Sequence, residues 1–166
     1  MSKRIIWLSV AVILVVAVGL VVALRPPGEP LTPEKLEAAE KVWRAHNLMD
    51  YDMEVEISGA QQGLHTIRVR GGDVVEMSTG GAKVPPNVWK YWSVQGMFGF
   101  LAEELENRTH PKMAFGVDDP SQVILRAYFD PELGYPRRFL RHVQGGSVDI
   151  MWVVRKFRRA EDGLGG

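Results

Sequence analysis

The chain of 166 residues contains no cysteine. That absence excludes disulfides, thiolate metal sites, a cysteine nucleophile and a lipidated N-terminal cysteine. Charge of one sign is also lacking: 20 Lys and Arg balance 20 Asp and Glu. Lys3 and Arg4 are the only charged side chains before Arg25, so the remainder holds 18 basic against 20 acidic residues, a net of −2. A nucleic-acid binder normally shows a basic surplus, so no nucleic-acid partner is expected. Histidine is scarce. His46, His65, His110 and His142 show no metal-type spacing, and no zinc signature occurs. The glycine-rich stretches lack the following Lys or paired glycines that cradle phosphate. Neither a metal nor a cofactor is expected.

What is present begins with an apolar run. Residues 5–24 read IIWLSVAVILVVAVGLVVAL, with no charge and one serine. At about 1.5 Å per residue this spans about 30 Å, the hydrocarbon thickness of a bilayer. The run predicts a membrane-spanning or signal segment. A signal core is usually about 7–15 residues, so the length favours a retained anchor. Val21-Val22-Ala23 offers a small-residue cleavage site, which keeps secretion after cleavage open as the alternative. Lys3, Arg4 and the α-amine precede the segment, while Arg25 alone follows it directly. The positive-inside tendency then places the N-terminus in the cytoplasm and the domain outside. The organisation expected is an anchor over residues 1–24, a Pro-rich linker over 25–31, an extracytoplasmic domain over 32–160 and a flexible tail over 161–166.

Thr32 with Pro33 has the form of a helix start. Leu36, Ala39, Val42, Trp43 and His46 follow at helical spacing, with Asn47 as a stop. Residues 50–58 alternate without a break: Tyr51, Met53, Val55 and Ile57 on one face, Asp50, Asp52, Glu54, Glu56 and Ser58 on the other. This pattern marks a half-buried strand. Segments 64–70 and 73–79 are joined by Gly71-Gly72, a hairpin signal. Ser93 can cap a second helix whose stripe is Val94, Met97, Phe98, Leu101, Ala102 and Leu105, with Glu103, Glu104 and Glu106 off the stripe. Strands over 122–130, 135–143 and 148–158 complete the chain. Hairpin grouping predicts an α+β fold: an antiparallel sheet of about six strands in two three-stranded halves, with a helix on one face.

The last hairpin also has a predicted register. Closing residues 144–147 as a turn sets Arg141 opposite Ile150, Phe139 opposite Trp152 and Arg137 opposite Val154 on a core-facing side. Leu140 then faces Met151, His142 faces Asp149 and Arg138 faces Val153 on the other. That second face, with Phe157 on it and half covered by the first helix, is the preferred partner-binding surface.

Several groups are candidates for function. Trp89, Tyr91 and Trp92 precede the second helix and could stack a sugar or clamp a peptide, or simply seal the sheet edge. His142 with Asp149 has the make-up of a general base and its orienting acid, or of a structural cross-strand pair. Asp50, Asp52, Glu54 and Glu56 form a carboxylate ladder. One strand face does not converge on a cation, so a solvated face ion-paired to Arg68 and Arg70 is expected. Arg137, Arg138, Arg141, Arg155, Lys156, Arg158 and Arg159 concentrate positive charge, either to guard an outer strand or to meet an anionic surface. Asn107-Arg108-Thr109 fits a glycosylation acceptor.

Some segments are shared with a known family. They are Trp43, 51–55, Gly63 leading into 67–75, 92–98 and Phe129-Asp130-Pro131-Glu132-Leu133-Gly134-Tyr135-Pro136. Over residues 40–158 the chain resembles the small exported domains grouped as domain of unknown function 6174. The Asp-Pro-x-x-Gly-Tyr-Pro turn is the most specific part. Many members carry Cys-Phe-Cys-Pro after the first strand, where this chain has Gly59-Ala60-Gln61-Gln62. The resemblance implies export and this α+β layout, and no activity. In the turn, Pro131 presets φ, Gly134 permits positive φ and Tyr135 folds back as a plug.

Together these features predict a tethered, non-enzymatic binding or accessory module for an envelope protein or ligand. Its candidate binding residues are Trp89, Tyr91, Trp92, Tyr135, Arg138, His142 and Asp149. The alternatives are a small hydrolase built on His142 and Asp149, or a structural subunit of a membrane complex. Oligomeric state is not set by the sequence.

Overall fold

The computed structural model describes residues 28–59, 62–146 and 149–160. The apolar run 5–24, residues 25–27 of the linker, Ala60, Gln61, Ser147, Val148 and the tail lie outside them. Among the described residues no helix is long and apolar enough to cross a membrane.

The sheet has eight antiparallel strands rather than six. They are β1 (Glu29–Pro30), β2 (Tyr51–Ser58), β3 (Gly63–Arg70), β4 (Asp73–Thr79), β5 (Ala82–Lys83), β6 (Val123–Phe129), β7 (Pro136–Val143) and β8 (Ile150–Arg159). Their order is β1-β6-β7-β8-β2-β3-β4-β5. The two three-stranded units join because β8 pairs with β2, and each outer edge gains a two-residue strand. One of these, β1, comes from the supposed linker. Leu31 N–H donates to the Leu125 carbonyl at 3.0 Å, and Leu31 is buried, so this end of the linker is part of the sheet.

Helix α1 (Pro33–His46) starts as its sequence dictates, with the Thr32 hydroxyl accepting from Lys35 N–H and Pro33 at the first position. It stops at Asn47, which adopts a left-handed conformation. Leu36, Ala39 and Trp43 are buried, whereas Val42 and His46 point outward. Helix α2 (Val94–Thr109) is capped by Ser93, whose hydroxyl accepts from Gly96 N–H at 3.1 Å. Val94, Met97, Phe98 and Leu101 are buried and Leu105 packs against them, while Ala102 is exposed. Glu104 departs from the expected pattern and is 4% exposed. A short helix α3 (Pro111–Phe115) follows.

The alternation of β2 holds along its whole length, and Tyr51, Met53, Val55 and Ile57 are all buried. Gly71 and Gly72, both at positive φ, form the β3–β4 turn. The β7–β8 register has Phe139 opposite Trp152, Leu140 opposite Met151 and Arg141 opposite Ile150. Trp152 is buried while Met151 and Val153 are half-buried, so the faces fall as the spacing predicts.

Bulges in β7 and in β8 break that simple alternation, and a third lies between β3 and β4. The β2–β8 pairing shifts between Glu54 and Val55, leaving Arg155 as an extra residue. Phe157 is thereby returned to the core side, where its ring stacks between Tyr51 (5.1 Å) and Tyr135 (4.5 Å). The β6–β7 pairing shifts between Tyr128 and Phe129, which displaces Arg137 from the expected place opposite Val154. Both helices lie on the core side: Trp43 of α1 meets Tyr51 and Phe157 edge-on, and Phe98 of α2 stacks on Phe129. The opposite face carries neither helix, so α1 does not cover it as expected.

Candidate functional site

A pocket of about 360 Å³ opens between α2, the 3-10 segment Pro86–Tyr91 and the lower ends of β2 and β8. Proline pairing at 85–86 starts that segment, and Ser93 then redirects the chain into α2. Gly96 makes the close approach possible: a Cβ there would lie 2.2 Å from the Lys90 carbonyl oxygen. The walls are Tyr91, Trp92, Met97, Phe100 and Trp152 together with Ile57, Val88 and Ile150. Among the described residues Ser58 and Asn87 supply the polar edge, and no charged side chain lines the space. Rings run round one side in contact, Tyr91 to Phe100 (5.7 Å), Phe100 to Phe139 (5.5 Å) and Phe139 to Trp152 (5.8 Å). The Tyr91 hydroxyl donates to Glu103 at 3.2 Å, and Lys90 lies over the Tyr91 ring. Trp92 stacks on His65, which hydrogen-bonds Thr79. These contacts hold the rings in set orientations.

The sequence candidates are only partly brought together. Tyr91 and Trp92 line the pocket. Trp89 does not; its indole N–H donates to the Val84 carbonyl at 3.0 Å and anchors the segment from outside. Tyr135 is buried at the far end of the sheet. There Gly134, at φ +80°, passes so close to α1 that a Cβ would lie 2.5 Å from the Ala39 carbonyl oxygen. The Asp130 carboxylate accepts from the N–H groups of Glu132 and Leu133, closing the turn. Burial pushes the Tyr135 hydroxyl up to about 12, with Asp130 adding to the shift. Its ring stacks on Phe157 at 4.5 Å, away from the pocket. Burial likewise pushes the Tyr51 hydroxyl up to about 12, although it accepts from Val94 N–H at 2.8 Å and so ties β2 to the start of α2.

His142 Nδ1 lies 2.8 Å from Asp149, as the register predicts. Their side chains are 43% and 55% exposed, outside the pocket. Arg138 is on the face without helices and makes no ion pair among the described residues. Among the described residues no group of three or more His, Asp or Glu is placed to hold a metal ion. The cation cluster does not guard an edge, because β7 and β8 are interior strands. Four of its members are ion-paired: Arg141 with Glu104 at 2.6 Å under the helix, and Lys156 with Glu54 at 3.3 Å, Arg155 with Glu56 and Arg137 with Asp130 at 4.0 Å at the surface. The carboxylate ladder is ion-paired on both sides, since Asp52 also meets Arg70 at 2.8 Å.

Sequence reasoning missed Phe100 and Glu104. Phe100 falls off the helical stripe, and an aromatic there was the available signal. Glu104 has no such signal, because its burial depends on Arg141 from a strand 37 residues away. Burial raises the Glu104 carboxyl, and Arg141 opposes that shift without cancelling it. No protein-family model matches the chain, and no curated protein matches it.

Proposed function

We propose that this chain is a non-catalytic binding module of the cell envelope, tethered by residues 5–24 and displayed outside the membrane, whose pocket beside Trp92 receives an apolar group. The observation that carries the reading is an aromatic-walled space of about 360 Å³ whose lining, among the described residues, has two neutral polar side chains and no charge. Ligand pockets run from about 300 to 1,000 Å³ and are mostly apolar with few orienting polar groups. Such a site suits an aromatic or branched aliphatic side chain of an envelope protein, or a small apolar ligand. The likeness to exported domains of unknown function 6174 supports the location and adds no activity. The hydrolase alternative has less support: His142 and Asp149 are close, yet they stand in solvent outside the pocket, away from any enclosed space where a reacting group could be held.

Indole is a water-soluble probe of this site. In the full chain held in lipid nanodiscs, it is expected to shift the methyl resonances of Met97 and Ile150 saturably and leave exposed Met113 unmoved. Val88→Trp, which fills the space, should abolish the shifts. Equal, non-saturating shifts at Met97 and Met113 would overturn the reading.

A further inference from the structure

The face of the sheet that, among the described residues, carries no helix is divided. Over β2–β4 it is dominated by paired charges, with Asp52, Glu54, Glu56 and Glu76 each bonded to a cation and Leu64 as an exposed apolar residue among them. Over β6–β8 it carries Ile124, Leu140, Met151 and Val153 beside Arg126 and Arg138, and its carboxylate, Asp149 just before β8, is already engaged by His142. Tyr128, opposite Arg138, is 45% exposed. An apolar strip bordered by unneutralised cations is the make-up of a surface for anionic headgroups, whose apolar residues enter the interface while arginines meet phosphate.

The path of the chain says which surface is close enough to be the occupant. Gly28 is held against β6: its carbonyl accepts from Arg126 at 3.1 Å, and a Cβ on it would lie 2.8 Å from the Ala127 carbonyl oxygen. Gly28 follows Leu24, the last of the apolar run, by four Cα–Cα steps. They reach at most about 14 Å, while the headgroup layer itself takes up about 5–7 Å. The domain therefore cannot stand away from the bilayer that the run enters. The tether arrives beside Tyr128, at the border of the apolar and cationic half-face. A second copy is the poorer occupant, because a two-fold contact of these half-faces would bring like charges together.

We propose that the β6–β8 half-face lies on an anionic lipid surface and orients the pocket, at the opposite strand ends, away from the tether. This rests on the tethering of residues 5–24. The absence of cysteine makes the test direct. Tyr128→Cys, Met151→Cys and Thr66→Cys, each in the full chain, are labelled with an environment-sensitive fluorophore. They are then reconstituted in vesicles of phosphatidylcholine with about one-third phosphatidylglycerol. Thr66 is on the ion-paired half of the same face and serves as the reference in identical vesicles.

The expected result is at least a threefold lower iodide quenching at positions 128 and 151 than at 66, with quenching by brominated lipid in the reverse order. Arg138→Glu should reduce the protection, as should pure phosphatidylcholine. Chain retained through an alkaline wash with equal iodide quenching at all three positions overturns the proposal and leaves tethering intact. Release by that wash overturns both. Protection that grows with the protein-to-lipid ratio overturns it in favour of self-association.

Discussion

Glu54 and Glu104 are both glutamates with a cationic partner, placed on opposite sides of one sheet. Glu54 meets Lys156 at 3.3 Å on the bare face, with more than a third of its side chain in water. Glu104 meets Arg141 at 2.6 Å under α2, with 5% of its side chain exposed, and its second carboxylate oxygen has no hydrogen-bond partner among the described residues. The same pairing therefore means different things. In water the two charges keep their hydration and the contact adds little; under the helix the desolvation cost must be met by the partner. Burial still raises the Glu104 carboxyl despite the adjacent guanidinium, so desolvation outweighs the pair.

The comparison can be broken or sharpened by substitution. Leu101→Ala sets the scale for the covered side: Leu101 is fully buried, and its truncation should cost about 2–5 kcal/mol in chemical denaturation. A loss under about half a kilocalorie would mean that the covered side is not a packed core.

Next in size is Glu104→Leu, which leaves Arg141 enclosed without its carboxylate and should cost about 3 kcal/mol. Adding Arg141→Leu should restore most of that loss, because the uncompensated charge leaves with it. A double variant no more stable than the single one would show that the pair itself holds α2 to the sheet.

The same site should show in the pH dependence. A carboxyl raised on folding holds a proton that the unfolded chain releases. Its contribution is thus fullest below the ordinary value of 4.5 and is lost as pH climbs toward the folded value. Glu104→Gln removes this term. Measured by urea midpoints, the stability of the variant relative to the parent chain should rise with pH above 4.5 and then level off. A difference that is flat from pH 4 to 7 would contradict a raised Glu104.

The smallest effect belongs to the bare face. Glu54→Gln should change stability by under about 1 kcal/mol, and the change should shrink further at high salt. A cost equal to that of Glu104→Leu would erase the distinction between the two sides.

Local chemistry made much of this molecule readable. Thr32, Pro33, Ser93 and Asn47 bound the helices because caps act within one turn. The alternation of β2 and the Gly71-Gly72 turn were equally plain, since a strand's period and a turn's backbone angles are properties of neighbouring residues. The register of β7 on β8 followed from a short turn, and with it the meeting of His142 and Asp149.

What escaped was non-local. Pairing of β8 with β2 converted two half-sheets into one and turned supposed edge strands into interior ones. The bulge at Arg155 reversed the face of Phe157, because one extra residue shifts a period of two by half. Glu104 is buried by an arginine from a distant strand, and the pocket gathers Ile57, Trp92, Phe100 and Ile150 from separate elements. Sequence alone determined which residues could form helices, strands and turns, since those preferences are satisfied within a few bonds. Which strands became neighbours, which charges lost their water and which rings came to share one space were decided by packing across the whole chain.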